Sequence, residues 1–217
     1  MNRHQTMVGE AGLQFFGKIT ASISHEIRNV LAVLNENAGL VTDYVLMAEK
    51  GIPLDPERLK TLAQSMGTQI RRADGIVENM NRFAHGVDEK SQQIDLNETI
   101  DLLVALSSRL ADMRGVKIES VCGNDPVEII THPFFMENML WYFLDFAMGV
   151  VGDSKTLQIV GEMGASGVHI RFGGLDKLAQ TDSEGFPSAE AKALLTSLEA
   201  DFSMNPEAGE ILIQIAK

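Results

Sequence analysis

Of the five histidines in this 217-residue chain, His25 stands where an imidazole can act as a nucleophile. It lies two residues from both Ile23 and Ile27. On a helix that separation is roughly 200°, so the ring points away from the apolar stripe and toward solvent. A neutral imidazole attacks activated phosphoryl groups well. Glu26, next along, can accept the other ring N–H and hold the reactive tautomer, while Arg28 or Lys18 can offer positive charge to phosphoryl oxygens. At helical spacing the neighbours of His25 are Ala21, Ser22, Asn29 and Ala32, with Lys18 on the same face. Small residues there leave room for a docking partner. An incidental surface histidine would show the same angle, so the surrounding string has to decide.

Three of the other histidines read as structural. His169 and Arg171 alternate with Val168, Ile170 and Phe172, which places them on the outer face of a strand. His85 falls at a helix end and His132 precedes Pro133 in a turn. No His/Cys/Asp cluster has the spacing of a metal site. Cys122 is the only cysteine, so it closes no intrachain disulfide and reads as an inert thiol.

The elements that must position His25 are helical. From Phe16, the apolar positions Ile19, Ile23, Ile27, Val30, Leu34, Ala38, Val41 and Val45 recur at steps of three and four for about eight turns. Gly51, Pro53, Asp55 and Pro56 then supply a stop, a turn and an N-cap with proline at the first helical position. Leu59, Leu62, Met66, Ile70, Ala73, Val77 and Met80 repeat the pattern on a second helix. The result is a long antiparallel hairpin over residues 1–88. Two helices alone cannot enclose stripes this wide, so a homodimeric four-helix bundle is expected.

A polar stretch over residues 85–93 reads as a linker, and a second domain is expected over residues 94–217. Its pattern is a helix through Leu102 to Leu110, strands at 116–121 and 127–130, and an aromatic helix from Pro133 to about Val151. Strands at 157–160 and 168–172, a helix over 188–198 and a last strand over 210–215 follow. The fold class is therefore α+β: a helical hairpin followed by an α/β sandwich, one sheet covered by helices on one face.

Ser22-Ile23-Ser24-His25-Glu26-Ile27-Arg28-Asn29 resembles the phosphoacceptor motif of sensor histidine kinases, in which His is followed by an acidic, an apolar and a basic residue and then Asn or Thr. The two helix lengths and the proline-containing turn are similar to that family's dimerisation and phosphotransfer hairpin. By this resemblance His25 is the phosphoacceptor and Asn29 orients a water for hydrolysis of a partner's acyl phosphate. The partner it implies is a response-regulator receiver domain, which would carry the Mg²⁺. Val30 stands where the family usually has proline, which implies a straighter helix beside the site.

The second domain resembles the kinases' ATP-binding domain in element order, yet its nucleotide positions differ. In the helix that normally presents two asparagines to Mg²⁺ and phosphates, those positions are Tyr142 and Phe146. Aromatic rings supply no oxygen ligand to a hard cation, and they fill space a nucleotide needs. Asp145 is one residue off, about 100° away on the helix. The aspartate of the adenine site is replaced by Gly173, and residues 181–187 offer one glycine with two acids where a glycine-rich lid should be. The combination is similar to phosphorelay histidine phosphotransferases with a degenerate ATPase-like domain, and implies no cofactor bound by this chain. The rival readings are an ATP-dependent sensor histidine kinase with a divergent site and a non-catalytic dimeric signalling adaptor.

A net charge of −12 disfavours nucleic acid and anionic membrane surfaces as partners. The most apolar stretch, residues 139–151, is too short to span a bilayer and carries Asp145. The first ten residues show no secretion signal, so a cytoplasmic location is expected.

Overall fold

The computed structural model describes residues 3–88, 90–121, 123, 125–164, 167–181 and 185–216. Cys122 and residues 182–184 of the expected lid lie outside them. Helix α1 (Arg3–Glu49) runs 47 residues, and α2 (Pro56–His85) returns antiparallel to it. The reversal uses the expected signals. Gly51 takes φ +76°, which glycine adopts without strain, and the Asp55 carboxylate accepts the Glu57 N–H at 3.0 Å with Pro56 opening the helix. Asn37, buried within α1, donates to the Ser65 hydroxyl at 3.1 Å and fixes the register of the hairpin.

Strand β1 (Gln92–Asp95) follows, then α3 (Leu96–Arg114), β2 (Lys117–Ser120), β3 (Glu128–Thr131), α4 (Pro133–Val150), β4 (Thr156–Met163), β5 (Gly167–Gly173), α5 (Ala189–Ser197), β6 (Ala200–Asn205) and β7 (Glu210–Ala216). β1 and β3 pair antiparallel as a small ribbon, and the main sheet has the order β2-β4-β5-β7-β6 with only the β2–β4 pair parallel. Strands β1 and β6 were not expected from the sequence. β1 is mostly polar and β6 has only Phe202 and Met204 as large apolar residues, and each becomes a strand through its partner, β3 and β7 respectively.

One face of the sheet, from Leu157, Ile159, Val168, Ile170, Phe172, Ile211 and Ile213, is buried in a core shared with α3 and α4. The opposite face carries His169 and Arg171, and Arg171 pairs with Glu210 at 3.1 Å. The strand alternation read for β5 is therefore present, and the second half is a two-layer sandwich.

The hairpin and the sandwich share that core. Phe15, Ile19 and Ile23 of α1 and Phe83 of α2 are buried in the same cluster as Leu140 and Trp141 of α4. The Phe15 ring meets Phe83 edge-on at 5.2 Å and stacks on Trp141 at 6.2 Å. Nearer the start of α1, Val8 packs with Ala193 and Leu194 of α5. Among the described residues no helix is long and apolar enough to cross a membrane.

Candidate functional site

His25 is exposed on α1, while Ile23 is buried and Ile27 half-buried on the packed side, as the helical angle requires. Ala21, Arg28, Asn29 and Ala32 are exposed beside it. Among the described residues Arg28 makes no ion pair, so its guanidinium has no internal partner to leave. The Asn29 side chain likewise makes no hydrogen bond among the described residues.

Three neighbours sit differently from the sequence expectation. Ser22, expected on the docking face, is 2% exposed, and its hydroxyl has no partner among the described residues. It lies about 60° around the helix from His25, and that rotation carries it into the packed flank. Glu26, expected beside the imidazole, has its carboxylate engaged elsewhere. The Ser108 hydroxyl of α3 donates to it at 3.3 Å, and Arg72 of α2 stands 3.8 Å away. Lys18 is 3.5 Å from Asp145 of α4 and lies over the Trp141 ring at 5.9 Å, so its charge serves the junction of α1 with the sandwich.

Asp145 is the hub of that junction. Arg114 closes on it with two arms, one to the carboxylate at 2.6 Å and one to the backbone carbonyl at 2.8 Å. One residue from Phe146 and about 100° around the helix from it, Asp145 is engaged by the Arg114 and Lys18 cations. The partners Ser108, Arg72 and Arg114 were not singled out in the sequence. Ser108 is 82 residues from Glu26, and nothing local links the two.

On the other side of α4, Tyr142 stacks on Phe186 at 5.5 Å and Phe146 stacks on the same ring at 3.9 Å. Phe143 joins them edge-on at 5.6 Å and contacts Phe202 of β6 at 5.7 Å. The Tyr142 hydroxyl accepts the Ser188 N–H at 2.8 Å. Three aromatic side chains of α4 thus close on one phenylalanine from the segment ahead of α5. Next to them, between α1, α4 and α5, is a pocket of about 180 Å³ lined by Lys18, Asn138, Trp141, Tyr142, Asp145 and Ser188, among others. Ligand pockets are commonly about 300 Å³ or more.

Two further histidines keep to structural places. His85, in the last turn of α2, pairs with Asp88 at 2.7 Å. His132 is the N-cap residue of α4 and stacks on Phe135 at 3.9 Å, and burial holds its pKa below the usual imidazole value. Among the described residues no group of three or more His, Cys, Asp or Glu side chains is placed to hold a metal ion.

Neither a protein-family model nor a curated protein sequence matches the chain. Solved structures similar to it are histidine kinases and a bacterial phosphotransferase. The histidine kinase AdeS of Acinetobacter baumannii matches at 14% identity and a TM-score of 0.49, over 88% of this chain and 97% of its own. The structure described as a bacterial phosphotransferase matches at 14% identity and 0.49, over 93% and 95% respectively. The histidine kinase ThkA, in complex with the response regulator protein TrrA, matches at 17% identity and 0.48, over 94% of this chain and 63% of its own. The chemistry of the His25 site rests on its own residues.

Proposed function

We infer that this chain is a histidine phosphotransferase of a two-component phosphorelay, taking a phosphoryl group onto His25 from a receiver domain and returning it to another. The observation that carries this reading is the exposed imidazole of His25 within the string Ser22 to Asn29, with the Arg28 and Asn29 side chains exposed beside it and without a partner among the described residues. In the forward step an imidazole nitrogen attacks the phosphorus of an aspartyl phosphate. A P–N bond forms, the P–O bond to the aspartyl carboxyl breaks, and the aspartate leaves as carboxylate. The Mg²⁺ that neutralises the phosphoryl oxygens belongs to the receiver, and Arg28 supplies positive charge from this chain.

Glu26 then acts through position. Held by Ser108 and Arg72, it fixes the rotation of α1 against α2 and α3 and so the direction of the neighbouring ring. Ala21 and Ala32 give a flat approach for the receiver. A second copy of the chain covers the apolar residues the hairpin leaves exposed, including Leu31 at 58%, Val45 at 51% and Ile70 at 51%, in a cytoplasmic homodimer.

The stacking of Tyr142 and Phe146 on Phe186 supports transfer over ATP-driven autophosphorylation, because by the resemblance of the sequence Tyr142 and Phe146 stand at the positions that would present oxygen ligands to a Mg·nucleotide. The test is to incubate the chain with radiolabelled ATP alone and, separately, with a labelled phospho-receiver. Acid-labile, base-stable label is expected only from the receiver, and His25→Gln abolishes it while the dimer persists. Label from ATP alone would make the chain a kinase, and no label from either would make it an adaptor.

A further inference from the structure

The joint between α2 and the sandwich encloses an acid. Glu137, early in α4, is 5% exposed, and its buried Oε2 has no hydrogen bond among the described residues. Against it lies Gly86, the residue that ends α2. A methyl group on Gly86 would stand 3.2 and 3.3 Å from the two carboxyl oxygens, so the carboxyl leaves less than ordinary contact room for a side chain at this position. The Gly86 carbonyl accepts the Phe134 N–H at 3.2 Å. That amide is one of those a helix start leaves without an internal partner, and the His132 side chain does not cap it. Gly86 is thus held between the first turn of α4 and the Glu137 carboxyl.

A cavity of about 300 Å³ opens beside the acid. The charged groups facing it are Arg82 and His85 from α2, Asp95 from β1 and Glu98 from α3. All four have other partners. Arg82 pairs with Glu98 at 3.3 Å, His85 pairs with Asp88 at 2.7 Å, and Asp95 accepts the N–H groups of Asn97 and Val127. On α4 itself, the His132 ring is stacked on Phe135.

We propose that Glu137 is a protonation switch for the docking of the sandwich onto the hairpin: the neutral carboxyl lets Gly86 lie against α4, and loss of its proton loosens that joint. A buried carboxyl without a partner tolerates the neutral form and resists the charged one. Burial pushes the Glu137 pKa up to about 8, with Arg82 opposing more weakly. An opened joint releases the proton near the ordinary value of 4.5. Docking is therefore strongest below pH 4.5, weakens as pH rises, and reaches its floor above about 8. Each pH step inside that window changes the docking equilibrium by up to about tenfold.

The chain carries its own reporter. Its single tryptophan, Trp141, lies one turn along α4 from Glu137, is 4% exposed and stacks on Phe15 of α1. The experiment is a titration of the full chain from pH 5 to 9, following tryptophan emission, far-ultraviolet circular dichroism and amide exchange corrected for its intrinsic pH dependence. The emission is expected to shift red, and exchange over residues 83–88 and 133–138 to accelerate, as pH rises toward 8 and beyond, while the helical signal is kept. Glu137→Gln and Glu137→Met remain docked across the range, and His85→Asn keeps the wild-type transition. A wild-type trace flat over the whole range, the same transition in the Glu137 variants, its loss in His85→Asn, or concerted loss of helix would each overturn the proposal.

Discussion

Arg114 and Asp145 form a two-armed clasp, carboxylate at 2.6 Å and backbone carbonyl at 2.8 Å, that ties the end of α3 to the middle of α4. Lys18 reaches the same carboxylate at 3.5 Å and adds α1. The side chains of Arg114 and Asp145 are 41% and 29% exposed, so solvent screens part of the attraction. Asp145→Asn is expected to cost about 1 kcal/mol in urea unfolding. The difference should shrink in 1 M salt, since an ionic clasp is screened there whereas a packing defect is not.

Tyr142→Phe keeps the ring on Phe186 and removes only the acceptor of the Ser188 N–H. A loss of about 1 kcal/mol is expected, read as a lowered unfolding midpoint. Tyr142→Asn, which restores the residue type of the kinase pattern, should cost more because the stacking goes as well.

Two glycines with almost the same backbone separate strain from collision. Gly174 has φ +83°, and a methyl there would be driven into the Thr156 carbonyl oxygen. Gly185 has φ +84° with nothing within 4 Å of the same position among the described residues. Gly185→Ala should cost about 1 kcal/mol, the ordinary penalty for a left-handed alanine. Gly174→Ala should cost more than about 2 kcal/mol. Equal effects by chemical denaturation would refute the collision with Thr156.

His25→Gln should leave stability within about 0.5 kcal/mol of wild type, because the ring is exposed and makes no internal bond among the described residues. Phe15→Ala, at 2% exposure in the aromatic seam, should cost about 3–5 kcal/mol. Only the first is expected to abolish phosphoryl uptake at unchanged stability, the signature of a residue that reacts without supporting the fold.

The features legible in the sequence were those written locally. The helical period of α1 and α2, the Asp55-Pro56 start, Pro133 opening α4 and the alternation of β5 all depend on neighbours within a few residues. The apolar period is legible only from Phe16, while the helix itself begins at Arg3 and runs through Gly9 and Gly12, which are poor helix formers. Its reason is tertiary: at Gly12 the Phe134 ring approaches so closely that a methyl would stand 3.0 Å from it. At the site, the outward angle of His25 followed from the stripe. The burial of Ser22 and the capture of Glu26 and Lys18 did not, because a helical period gives one buried face and is silent on a second that another domain covers.

The length of α1 has a practical corollary for anyone dissecting the molecule. Its opening turns form a wall of the sandwich, with Val8 against Ala193 and Leu194, and Phe15 against Phe134 and Trp141. A fragment cut at the linker would bare this greasy flank to water and clump, so the C-terminal half travels only in company with the rod it leans on.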